Sequence, residues 1–363
     1  MNQAGVNEKY KVSPFYVFFL VHSMQTGVGV LSFQRVLAKS AGTDGWISIL
    51  LAGLFVHIMI WVIYKIFSIV PGDIISVNNQ AFGKWIGNIF SLLFVLYFLI
   101  LGMTVMISYI NVIHVWMFEE VPSWAFSVVF LVLIYYIHTG GFRTITGIAF
   151  LSVILTYWLL FVLFYAMEYS EFTNLLPVFH HTPLDILKGT RSTSLTLLGF
   201  EMIVMYYPFI KNAKTSQKYA HWGALTTTLI TVFVYLVSLV FYSQKQLELT
   251  IWPTLSMTSI IELPFIQRFE YINVSWWAII IITNMTIALW SASRGFKRLF
   301  NVQQKYPLWG ISIIILLTNI FVFDIDSLYI LHKIIDPYGV LFIALYLPLL
   351  LVIIYIKKLR KRI

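Results

Sequence analysis

One carboxylate stands alone within a long apolar run: Glu201, in the stretch Ser192 to Lys211, STSLTLLGFEMIVMYYPFIK. If that run crosses a bilayer, an ionisable group at its centre costs about 2.5 to 3.5 kcal/mol on insertion scales, and such groups are kept for a partner, a ligand or a water path. Gly199 lies two residues before it and Pro208 seven after. Glycine costs about 1 kcal/mol in a helix and proline removes a backbone hydrogen bond, so the two weaken the helix where the carboxylate sits. The segment reads as an interrupted membrane helix lining a polar cavity, with Glu201 as a gate or coupling residue bonded to helix 1 backbone or water rather than a direct ligand contact. A second interruption lies in the first apolar run, His22-Ser23-Met24-Gln25-Thr26-Gly27-Val28-Gly29. Thr26, Gly27 and Gly29 there could offer unpaired backbone and one hydroxyl to a small polar ligand. The alternative is that the glycines only allow close helix packing.

Other polar groups could wall such a site. Tyr97 and Tyr109 fall inside the third run, and Thr283, Asn284, Thr286 and Ser291 form a stripe in the eighth, at spacings of three and seven that share much of one helix face. Interhelical hydrogen bonding is the plainer role for any one of them. His57 and His114 read as packing or interfacial residues. His180-His181 with Asp185 lies in a proline-flanked loop without a firm ligand spacing, so no metal is expected. No nucleophile motif, phosphate-cradling glycine loop or metalloprotease signature appears. The chain is therefore not expected to be an enzyme or to need a cofactor.

These residues must be positioned by membrane helices. Of 363 residues, 60% are apolar, 17% aromatic and 11% charged, far outside the range of soluble domains. The net charge of +9 does not point to nucleic acid, because the basic residues sit in short loops between hydrophobic runs. There is no cysteine, which rules out disulfides and thiolate metal sites. The first apolar run is too long for a cleavable signal and lacks a small-residue cleavage site. Taken in order, the runs are about Phe15 to Leu37, Trp46 to Tyr64, Ile86 to Met117, Trp124 to Ile137, Ile145 to Met167, Ser194 to Ile210, Ala220 to Tyr242, Ile272 to Trp290, Leu308 to Phe323 and Tyr338 to Ile356. Each is near the roughly 20 residues that cross about 30 Å of hydrocarbon. The expectation is an all-α integral membrane protein of ten helices forming a single transmembrane domain over 1–363, with helices 1–5 in about 13–167 and helices 6–10 in about 192–356.

With the N-terminus inside, the tails and even-numbered loops hold 17 of the 24 lysines and arginines, which places both termini on the cytoplasmic side. Dividing ten helices into two halves of five puts the interrupted helices 1 and 6 in corresponding places. Paired interruptions point to a midplane substrate site in inverted-repeat transporters. The loop Gln244 to Tyr271, with Trp252-Pro253 and Leu263-Pro264, reads as one or two short helices capping the cavity from outside.

The stretch Met24 to Arg35, the Gly83-Lys84-Trp85-Ile86-Gly87 segment, the Gly199-Phe200-Glu201 step, Trp252-Pro253-Thr254 and Arg268-Phe269-Glu270 carry a resemblance. In their order and spacing they look like the B subunits of spore germinant receptors, in the endospore germination permease family of the amino acid, polyamine and organocation transporter superfamily. The resemblance covers essentially the whole chain. It implies a LeuT-like fold of two inverted five-helix repeats in the spore inner membrane, working beside an A subunit and a lipoprotein C subunit. It further implies sensing of a small-molecule nutrient, an amino acid or a sugar, in a pocket that includes Gly27, Gly29, Tyr97, Leu198, Gly199, Asn284 and Ala288. Gln34 stands where many relatives have proline. Asn284 and Ala288 replace the hydroxyl-bearing and aromatic residues of alanine-sensing relatives, which points away from alanine. The rival reading is an ion-coupled secondary amino acid transporter with Thr283 and Thr286 supplying oxygens to a cation.

Overall fold

The structure, a computed structural model, describes residues 6–261, 264, 267–321, 339 and 342–360. Leu263, the last two residues of the expected ninth helix and the start of the tenth at Tyr338 lie outside the described residues. Everything described is helical or connecting, apart from one isolated bridge between Val12 and Ile210.

The first expected span is cut in two. Helix α1, Val17–Gln25, ends at Thr26, a short 3-10 turn covers Val28–Leu31, and α2 follows as Phe33–Ala41. Gly27, between them, is extended at φ −117° and ψ −158°. Helix α3, Gly45–Ile69, is continuous; a short α4, Ile74–Phe82, is capped by the Asp73 carboxylate accepting from the Ser76 N–H at 3.0 Å. Helix α5, Lys84–Trp116, runs 33 residues, about 50 Å at 1.5 Å per residue, so it exceeds a bilayer core and must tilt or protrude. Then come α6, Ser123–Thr139, α7, Gly141–Thr156, and α8, Trp158–Val162, which continues as a 3-10 stretch to Tyr169.

The sixth span is also cut, and it differs from expectation. Its first half, α9, is Pro183–Thr196, starting inside what the sequence shows as a loop. Thr182 caps it and Pro183 occupies its first turn, which needs no N–H partner. The run Leu197 to Gly199 breaks it, and the second half is a 3-10 turn Phe200–Met202, helix α10 Ile203–Tyr206 and a turn Tyr207–Phe209. Helix α11, Gln217–Phe241, leads to two short helices, α12 Gln244–Leu249 and α13 Pro253–Thr258, in the loop expected to hold them. Helix α14, Phe269–Phe300, α15, Lys305–Phe321, a π turn Phe342–Tyr346 and α16, Leu347–Leu359, complete the described chain.

Six helical stretches are long and apolar enough to cross a membrane, and α6 and α15 are shorter apolar helices. The molecule is a multi-pass membrane protein. By length and composition the count is six among the described residues, against ten read from the sequence, partly because the first and sixth spans are broken.

The basic loops gather at one end. Val12 N–H donates to Phe209 O at 2.8 Å and Lys211 N–H to Val12 O at 2.9 Å, tying the chain before α1 to the chain after α10. Arg143 Nε reaches Lys11 O at 3.2 Å, Arg298 Nε reaches the Asp73 carboxylate at 3.0 Å and Lys357 Nζ reaches Gln80 O at 3.1 Å. At the opposite end, Thr43 donates to Pro177 O, Tyr235 to Gly42 O, and Arg35 to Glu248 O. The two broken spans thus run antiparallel side by side: α1 meets the second half of the sixth span at the basic end, and the end of α2 meets the start of α9 at the other.

Candidate functional site

The two breaks face each other. Gly199 sits at φ +114°, a left-handed conformation open to glycine, and a Cβ there would lie 2.6 Å from the Met24 carbonyl oxygen of α1. Gln25, the last residue of α1, donates from Nε2 to Leu197 O at 2.6 Å, so the side chain of one interrupted helix satisfies a carbonyl freed by the other. Gly29 packs on the end of α9, where a Cβ would stand 3.2 Å from Thr196 Cγ2. Thr26 turns its hydroxyl back onto His22 O at 2.8 Å, capping α1.

Glu201 is completely buried in the short turn after the second break. Its carboxylate accepts from the Tyr97 hydroxyl at 2.7 Å and, folding back, from the Gly199 N–H at 2.7 Å. It therefore braces α5 against its own break, and among the described residues the expected bond to helix 1 backbone is replaced by these two. Leu198 and Tyr97 have Gly339 as a common neighbour, since a Cβ on Gly339 would lie 3.0 Å from Leu198 and 3.3 Å from Tyr97.

Asn284 of α14 closes the first break from the other side. With its amide nitrogen turned toward α1 it donates to Ser23 O at 2.8 Å and Ile280 O at 2.9 Å; in the opposite orientation the nitrogen is 3.4 Å from Thr26 O. The first orientation satisfies the amide, and it is the one the hydrogen-bonding pattern selects. A Cβ on Gly27 would come within 2.9 Å of this amide, so glycine is what lets α14 approach. Ala288 lies one turn further along, in the seam with α5, where a Cβ on Gly102 would meet it at 3.2 Å. Of the residues singled out in the sequence, Thr26, Gly27, Gly29, Tyr97, Leu198, Gly199, Glu201 and Asn284 thus gather at the breaks, while Ala288 is set back between helices.

A cavity of about 50 Å³ opens beside the first break toward the end opposite the basic loops, room for a few waters. His22, Thr26, Thr254, Thr258, Asn273 and Trp277 line it. His22 Nδ1 is 2.7 Å from Thr227 Oγ1 and its Nε2 is 3.3 Å from the Tyr157 hydroxyl. Asn273 Oδ1 and Trp277 Nε1 are buried without a hydrogen-bond partner among the described residues, an acceptor and a donor beside the same space. Asn273 and Trp277, four apart on α14, are a face the sequence reading passed over. The cap above comes from α13: Gln34 Nε2 donates to Thr254 Oγ1 at 2.6 Å, and Thr254 donates to Val30 O at 3.0 Å. Gln34 thereby fastens α2 to that cap.

The histidine pair after α8 serves a different group. The fully buried Asp44 accepts from the N–H groups of Phe179, His180 and His181 at 2.6, 2.8 and 3.0 Å, and from His181 Nδ1 at 3.1 Å. Asp185, grouped with these histidines by sequence, instead accepts from its own helix cap Thr182 at 2.6 Å. His57 Nδ1 lies 2.8 Å from His221 Nδ1 with the rings stacked, joining α3 to α11 as a packing role requires.

A family model described as "Spore germination protein" matches residues 11–328. The chain is 45% identical to the spore germination protein GerQB of Bacillus cereus, over 94% of this chain and 95% of that protein. It is 26% identical to spore germination protein A2 of Bacillus subtilis (strain 168), over 97% of each. Among solved structures it resembles MHP1, a nucleobase-cation-symport-1 family transporter in a closed conformation with bromovinylhydantoin bound, at a TM-score of 0.66 and 11% identity, over 100% of this chain and 82% of that one. A Na⁺-coupled sialic acid symporter in a substrate-bound outward-open state aligns at a TM-score of 0.63 and 12% identity, over 97% of this chain and 81% of that one. At such identities these likenesses speak to architecture alone: a LeuT-like arrangement with both pivotal helices interrupted. Residue pattern, fold and relatives agree, and the chain belongs to the spore germination protein family of permeases.

Proposed function

We propose that this chain senses a small polar nutrient, an amino acid or a sugar, at the facing breaks and passes its occupancy to partner subunits of a spore germination receptor. The observation that carries this reading is the buried contact between the breaks, Gln25 to Leu197 and Gly199 to Met24, braced by Glu201 and Tyr97. Non-helical backbone at Thr26 and Gly27 offers peptide groups to a zwitterion or a polyol, while Gly199 donates its N–H to Glu201 and its carbonyl accepts from the Met202 N–H, and the cavity beside Thr26 supplies an approach. A ligand that binds more tightly to one packing of the broken spans than to another shifts the balance between them, and only that difference can drive a partner. The partners are an A subunit and a lipoprotein C subunit, and the site is the spore inner membrane with both termini and the basic end on the core side; the gathering of lysines and arginines at one end supports that orientation.

Replacing Glu201 by glutamine tests the reading. The amide keeps an oxygen for Tyr97 but turns a donor toward the Gly199 N–H, so the brace is lost with little change in volume. Spores carrying Glu201→Gln should fail to lose optical density across a panel of amino acids and hexoses that germinates the parent, with the protein at parental levels by immunoblot. A normal response at unchanged nutrient concentration would make Glu201 a purely structural group.

One observation favours a rival, ion-coupled uptake of an amino acid. The Thr286 hydroxyl on α14 is buried without a hydrogen-bond partner among the described residues, an oxygen that could serve a cation. Sustained sodium- or proton-driven accumulation of a labelled amino acid in proteoliposomes holding this chain alone would favour that rival.

A further inference from the structure

A second and larger cavity, about 490 Å³, opens at the basic end, well away from the breaks. Its walls come from the segment before α1, the end of α6 with the start of α7, the last turns of α14 and the start of α15. Arg294, Lys297 and Lys305 are among its lining residues, and no aspartate or glutamate is among the described residues that line it. Neighbouring Arg298 has an acid, Asp73, at 3.0 Å; among the described residues no ion pair joins Arg294, Lys297 or Lys305 to any carboxylate. Arg294 lies with its guanidinium carbon 4.6 Å from the Phe209 ring centre, and its Nε is buried with no hydrogen-bond partner among the described residues. His138 Nε2, on the facing wall, is likewise buried without one among the described residues. Positive loops are ordinary on one face of a membrane protein. Three basic side chains line one space, one of them with a buried nitrogen that has no partner among the described residues, and an anion placed among them would offset their mutual repulsion.

We propose that this vestibule binds a phosphate-bearing anion, held by Arg294, Lys297 and Lys305. A tetrahedral oxyanion accepts several donors at once, which suits a guanidinium fork with two ammonium groups. The volume is many times that of the phosphate group itself, and Tyr10, Tyr135 and Trp290 give an organic body somewhere to lie. That body is either the glycerol end of an anionic phospholipid, since basic pockets between helices take such headgroups, or a soluble phosphate ester. The inference goes beyond the nutrient site and does not depend on it.

The test uses the full chain purified in a maltoside detergent and reads its unfolding midpoint. Inorganic phosphate and glycerol phosphate form one arm, short-chain phosphatidylglycerol the second, and sodium chloride at equal ionic strength with phosphatidylcholine the control. At least one arm should raise the midpoint above control with saturation. The exposed pair Lys297→Gln/Lys305→Gln should weaken the apparent affinity of that arm tenfold or more; should the pair fail to fold, Lys305→Gln alone should weaken it about threefold. A rise in the first arm makes the anion soluble, and a rise confined to phosphatidylglycerol makes it a lipid headgroup. The proposal is overturned if neither arm exceeds the control, or if the lysine variants bind as tightly as the parent.

Discussion

Asp44 and Glu201 are both carboxylates with no exposed surface, yet they are held differently. Asp44 accepts four hydrogen bonds, three of them from consecutive peptide N–H groups across the loop after α8. Glu201 accepts two among the described residues, one from a hydroxyl on another helix and one from the glycine at its own break. A carboxylate saturated by rigid backbone locks a junction, because every change of position loses several charge-assisted bonds together. A carboxylate held by one hydroxyl and one hinge peptide can exchange partners at the loss of one or two. The difference separates a four-bond clamp at the end opposite the basic loops from a two-bond brace at the breaks.

Three substitutions sharpen or break this contrast, and the largest effect belongs to the clamp. Asp44→Ala strands three peptide donors, each worth about 1 to 3 kcal/mol when unpaired, so we expect a loss of about 3 kcal/mol or more and little folded protein by size exclusion. If Asp44→Ala instead elutes and melts like the parent, the clamp is not structural. Next comes Gly199→Ala. A methyl group at φ +114° is strained and would meet the Met24 carbonyl, and we expect a loss of about 2 to 4 kcal/mol in thermal unfolding together with loss of nutrient response. An unchanged melt would mean that the breaks part easily. The smallest effect is that of Tyr97→Phe, which removes one donor from Glu201 and should lower stability by about 1 to 2 kcal/mol. Its effect on germination should exceed its effect on the melt, seen as a shift to higher nutrient concentration at normal protein level. Equal effects on both would put Glu201 in the same class as Asp44.

What the sequence disclosed follows from the same contrast. Glu201, Gly199 and the polar run from His22 to Gly29 stood out because each violates an apolar background, and violations of that kind are local. Asp44 gave no such signal. It sits in Ala41-Gly42-Thr43-Asp44-Gly45, which reads as a turn, and its donors arrive from residues more than 130 positions away. The first half of the sixth span was equally hidden. Helix α9 carries Asp185, Lys188 and Arg191, so its composition is that of a loop; the Leu37 and Ser48 side chains that pack around its Gly189 come from α2 and α3 and leave no mark within it. The capping helices α12 and α13 were legible because Trp252-Pro253 marks a helix start that proline favours. Their bond through Thr254 to Gln34 was not, since a side-chain pair 220 residues apart has no local pattern.

The bridge between Val12 and Ile210 has a mechanical meaning. Its two backbone hydrogen bonds, worth about 0.5 to 1.5 kcal/mol each, join the lower limbs of both broken spans into one lever. Tilting either limb away from the scaffold must swing its twin as well or first unfasten the strap, so the two limbs are free to move separately only after those two bonds are broken.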